Sequence, residues 1–408
     1  MSPPQHTMIL KECPKVYVHE THRSRTPQAT LDFIEKMKEL IGIRSMGEAT
    51  GADRIGIPVF TCRRTRPDKA VVTHVGKGLS ALQAQVSLLM EAIERHASEF
   101  RDEYLSRLIR GSFQELVRDH PVLDPQELIL PRFAKNPRRI PLHWVWGYDL
   151  LAKEGVLVPA CAVYHPFPLD PLSPISTSTN GLASGNTMEE AIFHGLAEVV
   201  ERDAWSIAEF RDSMDTALCV EDIPDHGFLL DLVARFQAAS IEITAKDITT
   251  NLGIPVIAAF SRDLQYASAI PVDGFGAHLD PCVAMARALM EIASTRAFLL
   301  ERHGIQGLRQ STSYIDLEAE LEDGRFSGRV CKPLGTIESS STPDILSDIE
   351  VMAGRLQEKG IRRIIAVDLT RPDVAIPAVR VIVPGLEVYC FDRSRRGDRL
   401  YIHEEEIA

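Results

Sequence analysis

Apolar and polar positions along the chain predict alternating strands and helices. Apolar residues recur at helical spacing in three long stretches, residues 76–97, 180–205 and 276–296, and each carries acids on another face. Shorter apolar or β-branched runs near a proline predict strands, because proline is confined to strand starts and edges. The prolines are those of Ile57-Pro58, Val158-Pro159, Ile254-Pro255 and Ile376-Pro377. We therefore expect an α/β (α+β) fold with internally repeated strand and helix units.

The remaining segments give further expectations. Apolar spacing predicts helices at about 27–41, 105–118 and 228–239. Strand-like runs lie at 52–64, 143–146, 156–164 and 363–389. Charged residues with glycines predict a surface loop at 318–329, and an acidic tail follows at 404–406.

The three long stretches share one arrangement. Each contains a glycine-bearing turn followed by a side chain suited to a helix N-cap, namely Ser80, Thr187 or Asp280. A glutamate stands eleven residues after each cap, and the first two stretches have another at fourteen. Because eleven residues make close to three helical turns, each glutamate lies above its own cap. The acids so placed are Glu91, Glu94, Glu198, Glu201 and Glu291.

If these helices converge, their carboxylates would strongly raise one another's pKa unless cations accompany them. Carboxylates together with phosphate oxygens are the usual surroundings of Mg²⁺. Lys77, Arg202 and Arg287 are the basic candidates for a triphosphate. Each has a local alternative, because helix arginines pair with nearby acids, a turn lysine is solvated, and an acidic helix face is often only surface.

Composition limits the function classes. The 408 residues carry a net charge of −12, which argues against a nucleic-acid or anionic-membrane partner. A membrane-length apolar run and a signal peptide are both missing from the sequence, so we expect a cytoplasmic protein. The seven scattered cysteines lack metal-site spacing and are expected to be reduced, mostly buried thiols. We expect an N-terminal segment at 1–70 that packs on one folded unit at 71–408.

Several motifs in order resemble the YcaO family. They are GKGLS, SLLMEAIERHA, STNGLASGNTMEEAIFHGLAEVVERDA, GAHLDP, VAMARALMEIASTR and IVPGLE, and the resemblance runs from about Asp53 to Glu387. The early sequence DRIGIPVF is most similar to archaeal methanogen-type members. The resemblance implies a YcaO-type fold whose acidic helices converge on a site for ATP and Mg²⁺. No phosphate-loop, dinucleotide or kinase motif is present, so the nucleotide would bind in a different cradle.

The resemblance also implies roles by position. The family's Mg²⁺-binding glutamates fall on the five acids already selected. Its nucleotide contacts fall on Ser87, Asn186, Glu190, Arg202 and Arg287, to which the charge argument adds Lys77. We expect catalysis from Glu198, Glu201, Arg202 and Arg287. For the family's N-terminal nucleotide contacts, Lys11, Lys15 and Arg25 stay open.

The implied activity is ATP-dependent activation of a peptide-bond carbonyl by phosphorylation. A neighbouring Cys or Ser as nucleophile gives an azoline, whereas sulfide gives a thioamide. Azoline-forming members typically end in a proline-rich tail and this chain ends in YIHEEEIA, with no fused leader-presenting domain. We therefore expect thioamidation, with a glycine of methyl-coenzyme M reductase as the implied target.

The implied partners are a protein or peptide substrate, an external sulfide donor and a TfuA-like helper protein, and we expect a homodimer. Two alternatives stay open. One is an azoline-forming cyclodehydratase, and the other is a non-catalytic nucleotide-binding partner protein.

Overall fold

The computed structural model describes residues 7–212, 214, 216–221, 223–266, 269, 271–309 and 330–402. The surface loop predicted at 318–329 and the acidic tail at 404–406 lie outside these residues. The described residues form two compact units. Unit 1 is drawn from Met1–Pro14, Ile93–Phe210 and Asp344–Ala408, and unit 2 from Lys15–Ala92 and Arg211–Pro343.

Helices and strands alternate along the described chain. The helices are α1 (Pro27–Ile34), α2 (Ala81–Ser98), α3 (Phe113–Leu116), α4 (Ala160–Val163), α5 (Met188–Arg211), α6 (Phe228–Ala238), α7 (Pro281–His303), α8 (Ile305–Arg309) and α9 (Ile345–Glu358). The strands are β1 (Tyr17–Val18), β2 (His22–Arg23), β3 (Ile43–Glu48), β4 (Val59–Thr65), β5 (Val71–Lys77), β6 (Ile109–Gly111), β7 (Leu142–Asp149), β8 (Glu154–Pro159), β9 (Leu182–Ser184), β10 (Thr216–Cys219), β11 (Ile241–Asp247), β12 (Val256–Asp263), β13 (Val272–Ala277), β14 (Val330–Pro333), β15 (Ile365–Asp368) and β16 (Ala378–Ile382).

The described part of unit 1 contains a six-stranded antiparallel sheet. Its strand order is β6-β7-β15-β16-β9, and β8 pairs with β7. The core on this sheet includes Trp144, Leu157 and Val163, each fully buried. Both strand segments of the predicted pair near 143–146 and 156–164 are present, although the second ends at Pro159 and continues as α4.

Unit 2 contains a five-stranded sheet and a separate three-stranded sheet. The first has the order β13-β12-β11-β10-β14, in which only β10 and β14 run parallel among the described pairs. The second has the order β3-β4-β5 and is antiparallel. Helices α6 and α7 supply buried apolar side chains such as Phe236, Met285 and Leu289 to the core of this unit.

The predicted strand–helix repetition is present in three places. Strands β5, β9 and β13 are each followed within a few residues by α2, α5 and α7. Ser80 Oγ accepts the backbone N–H of Gln83 at 3.3 Å, and Thr187 Oγ1 accepts that of Glu190 at 3.1 Å. Asp280 accepts the backbone N–H of Cys282 at 2.8 Å. All three predicted N-caps are therefore confirmed.

Some predicted elements are wrong. The helix expected at 105–118 is instead a short 3₁₀ turn, strand β6 and the four-residue α3. Its apolar residues belong to short pieces whose neighbours in the sheet lie far away in sequence, so tertiary pairing overrides the local pattern. Val158-Pro159 ends strand β8, whereas Pro58, Pro255 and Pro377 immediately precede strands, as predicted.

The expectation that all cysteines are thiols is also wrong. Cys219 and Cys331 form a disulfide between β10 and β14, with their Cα atoms 5.8 Å apart. The two cysteines are separated by 112 residues and meet only because these strands pair. The other cysteines are free thiols, at Cys13, Cys62, Cys161, Cys282 and Cys390.

The domain boundary at residue 70 falls between β4 and β5, which pair with each other inside unit 2. The division at this residue stays a prediction. None of the described helices combines the length and the apolar character that crossing a bilayer requires.

Unit 2 depends on a buried charge network around Arg296. This side chain is 1% exposed and donates to Asp53 at 2.8 Å and to Asp263 at 3.0 Å. Arg54 donates to the other oxygen of Asp263. Burial acts to raise the pKa of Asp263, but the hydrogen bonds from Arg54 and Arg296 hold that pKa below its ordinary value.

We expect Arg296→Leu to destabilise unit 2 by about 3–5 kcal/mol, because two buried carboxylates would lose their shared partner. Chemical denaturation followed by circular dichroism measures this change. The matched control is Arg262→Ala, which breaks a surface pair with Glu242 at 3.3 Å and should cost no more than about 1 kcal/mol. Equal effects of the two substitutions would contradict a structural role for the buried network.

Candidate active site

Three of the predicted site residues meet in unit 2. Lys77 at the end of β5 forms an ion pair with Glu291 of α7, and Glu91 of α2 lines the same cavity. The cavity has a volume of about 560 Å³. Its lining combines these charges with an apolar wall and consists of Val75, Lys77, Glu91, Glu291, Ser294, Thr295, Phe298, Leu299, His303 and Gly307. A cavity of this size that combines polar and charged groups with apolar side chains can hold a ligand.

A buried histidine orients Glu91. Arg64 donates from Nε to His74 Nε2 at 3.2 Å, and both side chains are buried. Because Nε2 accepts, the ring hydrogen of a neutral His74 lies on Nδ1, which is 3.5 Å from Glu91 Oε1. This chain of contacts holds the carboxylate at the cavity and was not predicted. The only sequence signal is that Arg64 and His74 alternate inward on strands that also carry apolar residues.

Glycines in β13 place Arg287 and Glu291. A Cβ atom on Gly276 would overlap the carbonyl oxygen of Ala284 and crowd Arg287 Cβ, and one on Gly274 would crowd Glu291 Cβ at 2.9 Å. The strand and α7 therefore approach more closely than any side chain would allow. Both residues face the strand one helical turn apart, as their spacing predicted.

Arg287 carries a buried donor that suits an anion. Its Nε is buried and has no hydrogen-bond partner among the described residues. A buried donor without a partner costs free energy, so a phosphate oxygen would satisfy it. Ser87 lies one helical turn before Glu91 on α2.

Lys15 shares the surroundings of Arg287. Burial lowers the pKa of His278 well below its ordinary value, and the positive charges of His22, Lys15, Arg287 and Arg23 act in the same direction. Lys15 Nζ also donates to Ser341 Oγ at 2.6 Å. Among the three open N-terminal candidates, Lys15 is thus the one described near Arg287. Lys11 instead donates its backbone N–H to Glu189 at 2.8 Å, and the Arg25 guanidinium lies 5.6 Å from the centre of the Phe33 ring.

The start of α5 holds two predicted nucleotide contacts in unit 1. Asn186 donates from Nδ2 to both carboxylate oxygens of Glu190 at 3.1 Å. Glu190 is 1% exposed. Gly185 precedes this pair, and a Cβ there would crowd Glu190 Cβ at 2.9 Å. The turn and the helix therefore pack closely enough to fix both polar side chains.

Further along α5, two glutamates flank an arginine. Arg202 lies 4.0 Å from Glu198 Oε1 and 3.4 Å from Glu201 Oε1. Its guanidinium carbon lies 5.2 Å from the centre of the Trp205 ring and 5.3 Å from that of Phe391. The aromatic rings hold the cation in place.

Glu94 belongs to the same charged group as Glu198. Glu94 pairs with Arg95 at 3.7 Å, and burial raises the pKa of Glu198 while Arg202 and then Arg95 act to lower it. Burial likewise lowers the pKa of Arg380 to about 10, against the charges of Glu198 and Glu94. Acids and bases thus compensate one another, which the clustering of carboxylates requires.

Arg380 was not predicted, and it fixes the segment that enters the glycine-rich turn. It is buried and donates to the carbonyl oxygens of Val163, Ser178 and Asn180 at 3.0, 2.7 and 2.5 Å. One side chain therefore satisfies three backbone acceptors in unit 1. Arg380 reaches these carbonyl oxygens because β16 pairs with β9. This long-range pairing cannot be predicted from the local sequence.

The structure groups the predicted residues within each unit. Unit 2 holds Lys77, Ser87, Glu91, Arg287 and Glu291, and unit 1 holds Glu94, Asn186, Glu190, Glu198, Glu201 and Arg202. Helix α2 carries both Glu91 and Glu94. In each unit, carboxylates with nearby cations suit Mg²⁺, and the buried donor of Arg287 in unit 2 suits a phosphate oxygen. The role of each residue stays a prediction.

Comparisons with known proteins agree with this chemistry. A family model described as YcaO cyclodehydratase, ATP- and Mg²⁺-binding, matches residues 75–387. An uncharacterized protein of Methanothermobacter thermautotrophicus is 39% identical over 387 residues, covering 92% of this chain and 97% of that protein. An uncharacterized protein in the tfuA 3′ region of Rhizobium leguminosarum bv. trifolii is 28% identical over 388 residues, a match that covers 90% of this chain and 89% of that protein.

A solved structure is also similar. YcaO from Methanopyrus kandleri, bound with AMPPCP and Mg²⁺, has a TM-score of 0.78 and 30% identity, covering 97% of this chain and 100% of that one. The chain therefore belongs to the YcaO family. The predicted family, its likeness to methanogen members and the mixed helix and strand fold are confirmed. The family match also confirms ATP and Mg²⁺ as the cofactors.

We expect Gly276→Ala to lower ATP turnover by about 100-fold, because α7 must shift away from β13 and misplace Arg287 and Glu291. Steady-state kinetics with a thermal unfolding check measures this effect. The matched control is Gly47→Ala in β3, where none of the described atoms lies within 4 Å of the added Cβ. A folded Gly276→Ala protein with normal turnover would contradict the proposed positioning.

We expect Mg²⁺ affinity to fall as the pH falls, starting above the range in which an ordinary glutamate is protonated. The reason is that a metal ligand must be deprotonated and that burial raises the pKa of Glu198. Calorimetric titration with Mg²⁺ and a non-hydrolysable nucleotide at several pH values measures this dependence. Glu198→Gln should weaken binding and flatten the pH profile, whereas Glu209→Gln, a substitution on the same helix, should leave both unchanged. If Glu198→Gln left the pH dependence of Mg²⁺ affinity unchanged, a group other than Glu198 would be responsible for it.

Proposed function

We propose that the protein is an ATP- and Mg²⁺-dependent enzyme that converts a backbone amide of a peptide or protein into a thioamide, with sulfide as the nucleophile. The observation that carries this proposal is the cavity of unit 2, where Lys77, Glu91 and Glu291 meet beneath an apolar wall. The family match covers this region and describes ATP and Mg²⁺ binding.

Five acids are the proposed ligands of the metal ions. Glu91 and Glu291 supply carboxylates in unit 2, and Glu94, Glu198 and Glu201 supply them in unit 1. Mg²⁺ prefers such oxygen ligands and shares them with phosphate oxygens. Bound ions would neutralise a set of acids that the neighbouring arginines only partly compensate.

The basic and polar groups would orient the nucleotide. Arg287 offers its buried Nε to a phosphate oxygen, and Lys77 offers a second positive charge. In unit 1, the Asn186–Glu190 pair and Arg202 would provide the remaining contacts. Phosphoryl transfer depends mainly on such positioning and charge neutralisation. Accordingly, none of these groups acts as a protein nucleophile.

ATP, when bound, would supply the phosphoryl group that turns the amide oxygen into a leaving group. The balanced reaction is amide plus hydrogen sulfide plus ATP giving thioamide plus ADP and phosphate, with the amide oxygen ending in phosphate. Arg202 and Arg287 would stabilise the negative charge that develops during transfer, and Glu198 and Glu201 would contribute through the Mg²⁺ that they hold. Electrostatic stabilisation of this kind acts best in a partly desolvated site, and Glu201 is 5% exposed.

We propose sulfide over a side-chain nucleophile because the chain resembles methanogen proteins of the family. The relatives described above include two from methanogens, and one of them is a YcaO bound with a nucleotide analogue and Mg²⁺. We propose a glycine of methyl-coenzyme M reductase as the target. The relative in a tfuA 3′ region supports a TfuA-like helper protein as a partner. We further propose that the reaction takes place in the cytoplasm and that the active form is a homodimer.

The purified protein, supplied with ATP, Mg²⁺, sulfide and a glycine-containing substrate peptide, should raise the peptide mass by the difference between sulfur and oxygen. Mass spectrometry measures this change, and parallel assays should detect ADP and phosphate. Glu291→Gln should lower the rate by about 100-fold or more, because a metal-ligating carboxylate is lost. Glu301→Gln, an exposed position on the same helix, should not change it.

The alternatives give different results in the same experiment. Loss of one water from a peptide that contains Cys or Ser would indicate the azoline-forming cyclodehydratase, and this outcome is favoured by the name of the matched family model. Tight nucleotide binding and complex formation without any mass change, retained in Glu291→Gln, would indicate a non-catalytic partner. AMP and diphosphate as products would overturn phosphorylation as the activating step.

A further inference from the structure

Three side chains of different chemistry meet beside the N-terminal end of α7, outside the set of residues assigned to the active site. They are His226, Asp280 and Cys282, and one potential ligand atom of each lies within 4.8 Å of the others. Asp280 and Cys282 are buried, whereas the His226 side chain is 23% exposed. The cluster thus combines a nitrogen, an oxygen and a sulfur donor with a route from solvent.

The histidine is oriented by a backbone contact outside the cluster. His226 Nδ1 lies 2.9 Å from the carbonyl oxygen of Pro224, so this nitrogen carries the hydrogen and donates it. In the neutral ring, Nε2 then bears the lone pair, and it lies 3.4 Å from Asp280 Oδ2. An imidazole that donates its other N–H to a carbonyl oxygen has the arrangement found for metal-ligating histidines.

The carboxylate is fixed in a similar way. Asp280 Oδ1 accepts the backbone N–H of Cys282 at 2.8 Å as the N-cap of α7, which leaves Oδ2 directed at His226. Two electron-rich atoms therefore face each other, with the Cys282 sulfur beside them. Either a proton on Nε2 or a cation can resolve this repulsion. The Cys282 thiol hydrogen-bonds the same carboxylate and adds a third ligand atom for a cation that replaces the thiol proton.

We propose that His226 Nε2, Asp280 Oδ2 and Cys282 Sγ bind a borderline-soft divalent cation of the Zn²⁺ class. Mixed nitrogen, oxygen and thiolate ligands favour such ions over Mg²⁺, which takes oxygen ligands. Binding transfers the thiol proton to solvent, and thiolate and carboxylate together balance the charge of the ion. Three protein ligands leave one tetrahedral position for water or an incoming sulfur group.

The bound ion would tie the turn at 224–226 to the first turn of α7. Helix α7 also carries Arg287 and Glu291. The ion would therefore stabilise the N-terminal turn of α7, which lies before these two residues in sequence.

The test uses the full-length protein, freed of metal with a chelator and titrated with Co²⁺ as a spectroscopic probe for Zn²⁺. One equivalent should produce a sulfur-to-cobalt charge-transfer band, and added Zn²⁺ should displace it. Cys282→Ser should abolish the band, and His226→Ala should weaken Co²⁺ affinity by at least about 10–100-fold. Cys161→Ser, which removes a buried thiol of unit 1, should leave the band unchanged.

The outcomes separate the possibilities. No charge-transfer band, or a band that persists in Cys282→Ser, would overturn the proposed site. Circular dichroism confirms that each variant is folded, and the partly exposed His226 offers a substitution that disturbs the core little. Mg²⁺ at millimolar excess should not compete with Co²⁺, and competition at equal concentrations would contradict a sulfur-containing site. These results are independent of thioamide formation.

Discussion

The close approach of a strand to the helix that follows it is the constraint on which the site depends. Gly76 lies against α2 and Gly276 against α7, in positions where any side chain would overlap the helix backbone. Backbones that meet at this distance fix the rotation of the helix relative to its strand. Rotation in turn decides which helical positions face the cavity. Acids placed three turns above a cap can serve a common ligand only because this rotation is fixed.

Charge compensation is the second constraint, and it is met differently in the two units. In unit 2, Lys77 pairs with Glu291, and the Arg64–His74 contact supports Glu91. In unit 1, Arg202 lies near Glu198 and Glu201 on α5, and Arg95 pairs with Glu94. Burial still raises the pKa of Glu198. The acids are thus held near cations without being fully neutralised. Binding of Mg²⁺ would supply the additional positive charge that neutralises these acids.

Local features of the chain were predictable and long-range ones were not. The caps at Ser80 and Thr187 depend on three or four consecutive residues, so the sequence identified both helix starts. His74 and Arg380 act through partners on other strands, and the Cys219–Cys331 disulfide joins strands 112 residues apart. Apart from the inward alternation of His74 on its strand, none of these contacts leaves a periodic signal. The failed helix at 105–118 shows the same limit, because its residues are recruited by pairing with β7.

These constraints fix the groups proposed to bind the nucleotide and metal ions, but they do not fix the nucleophile that attacks the amide. The strand–helix pairs determine where acids and arginines stand. In the proposed function, those groups would act on the nucleotide and its metal ions and not on the atom that attacks the amide. Phosphoryl transfer needs positioning more than a protein nucleophile. The same framework can therefore accept a side chain or sulfide as the attacking group without any change in α5 or α7. What distinguishes a thioamide-forming enzyme from a cyclodehydratase must then lie in the surfaces that bring the substrate and the sulfur source to the activated carbonyl.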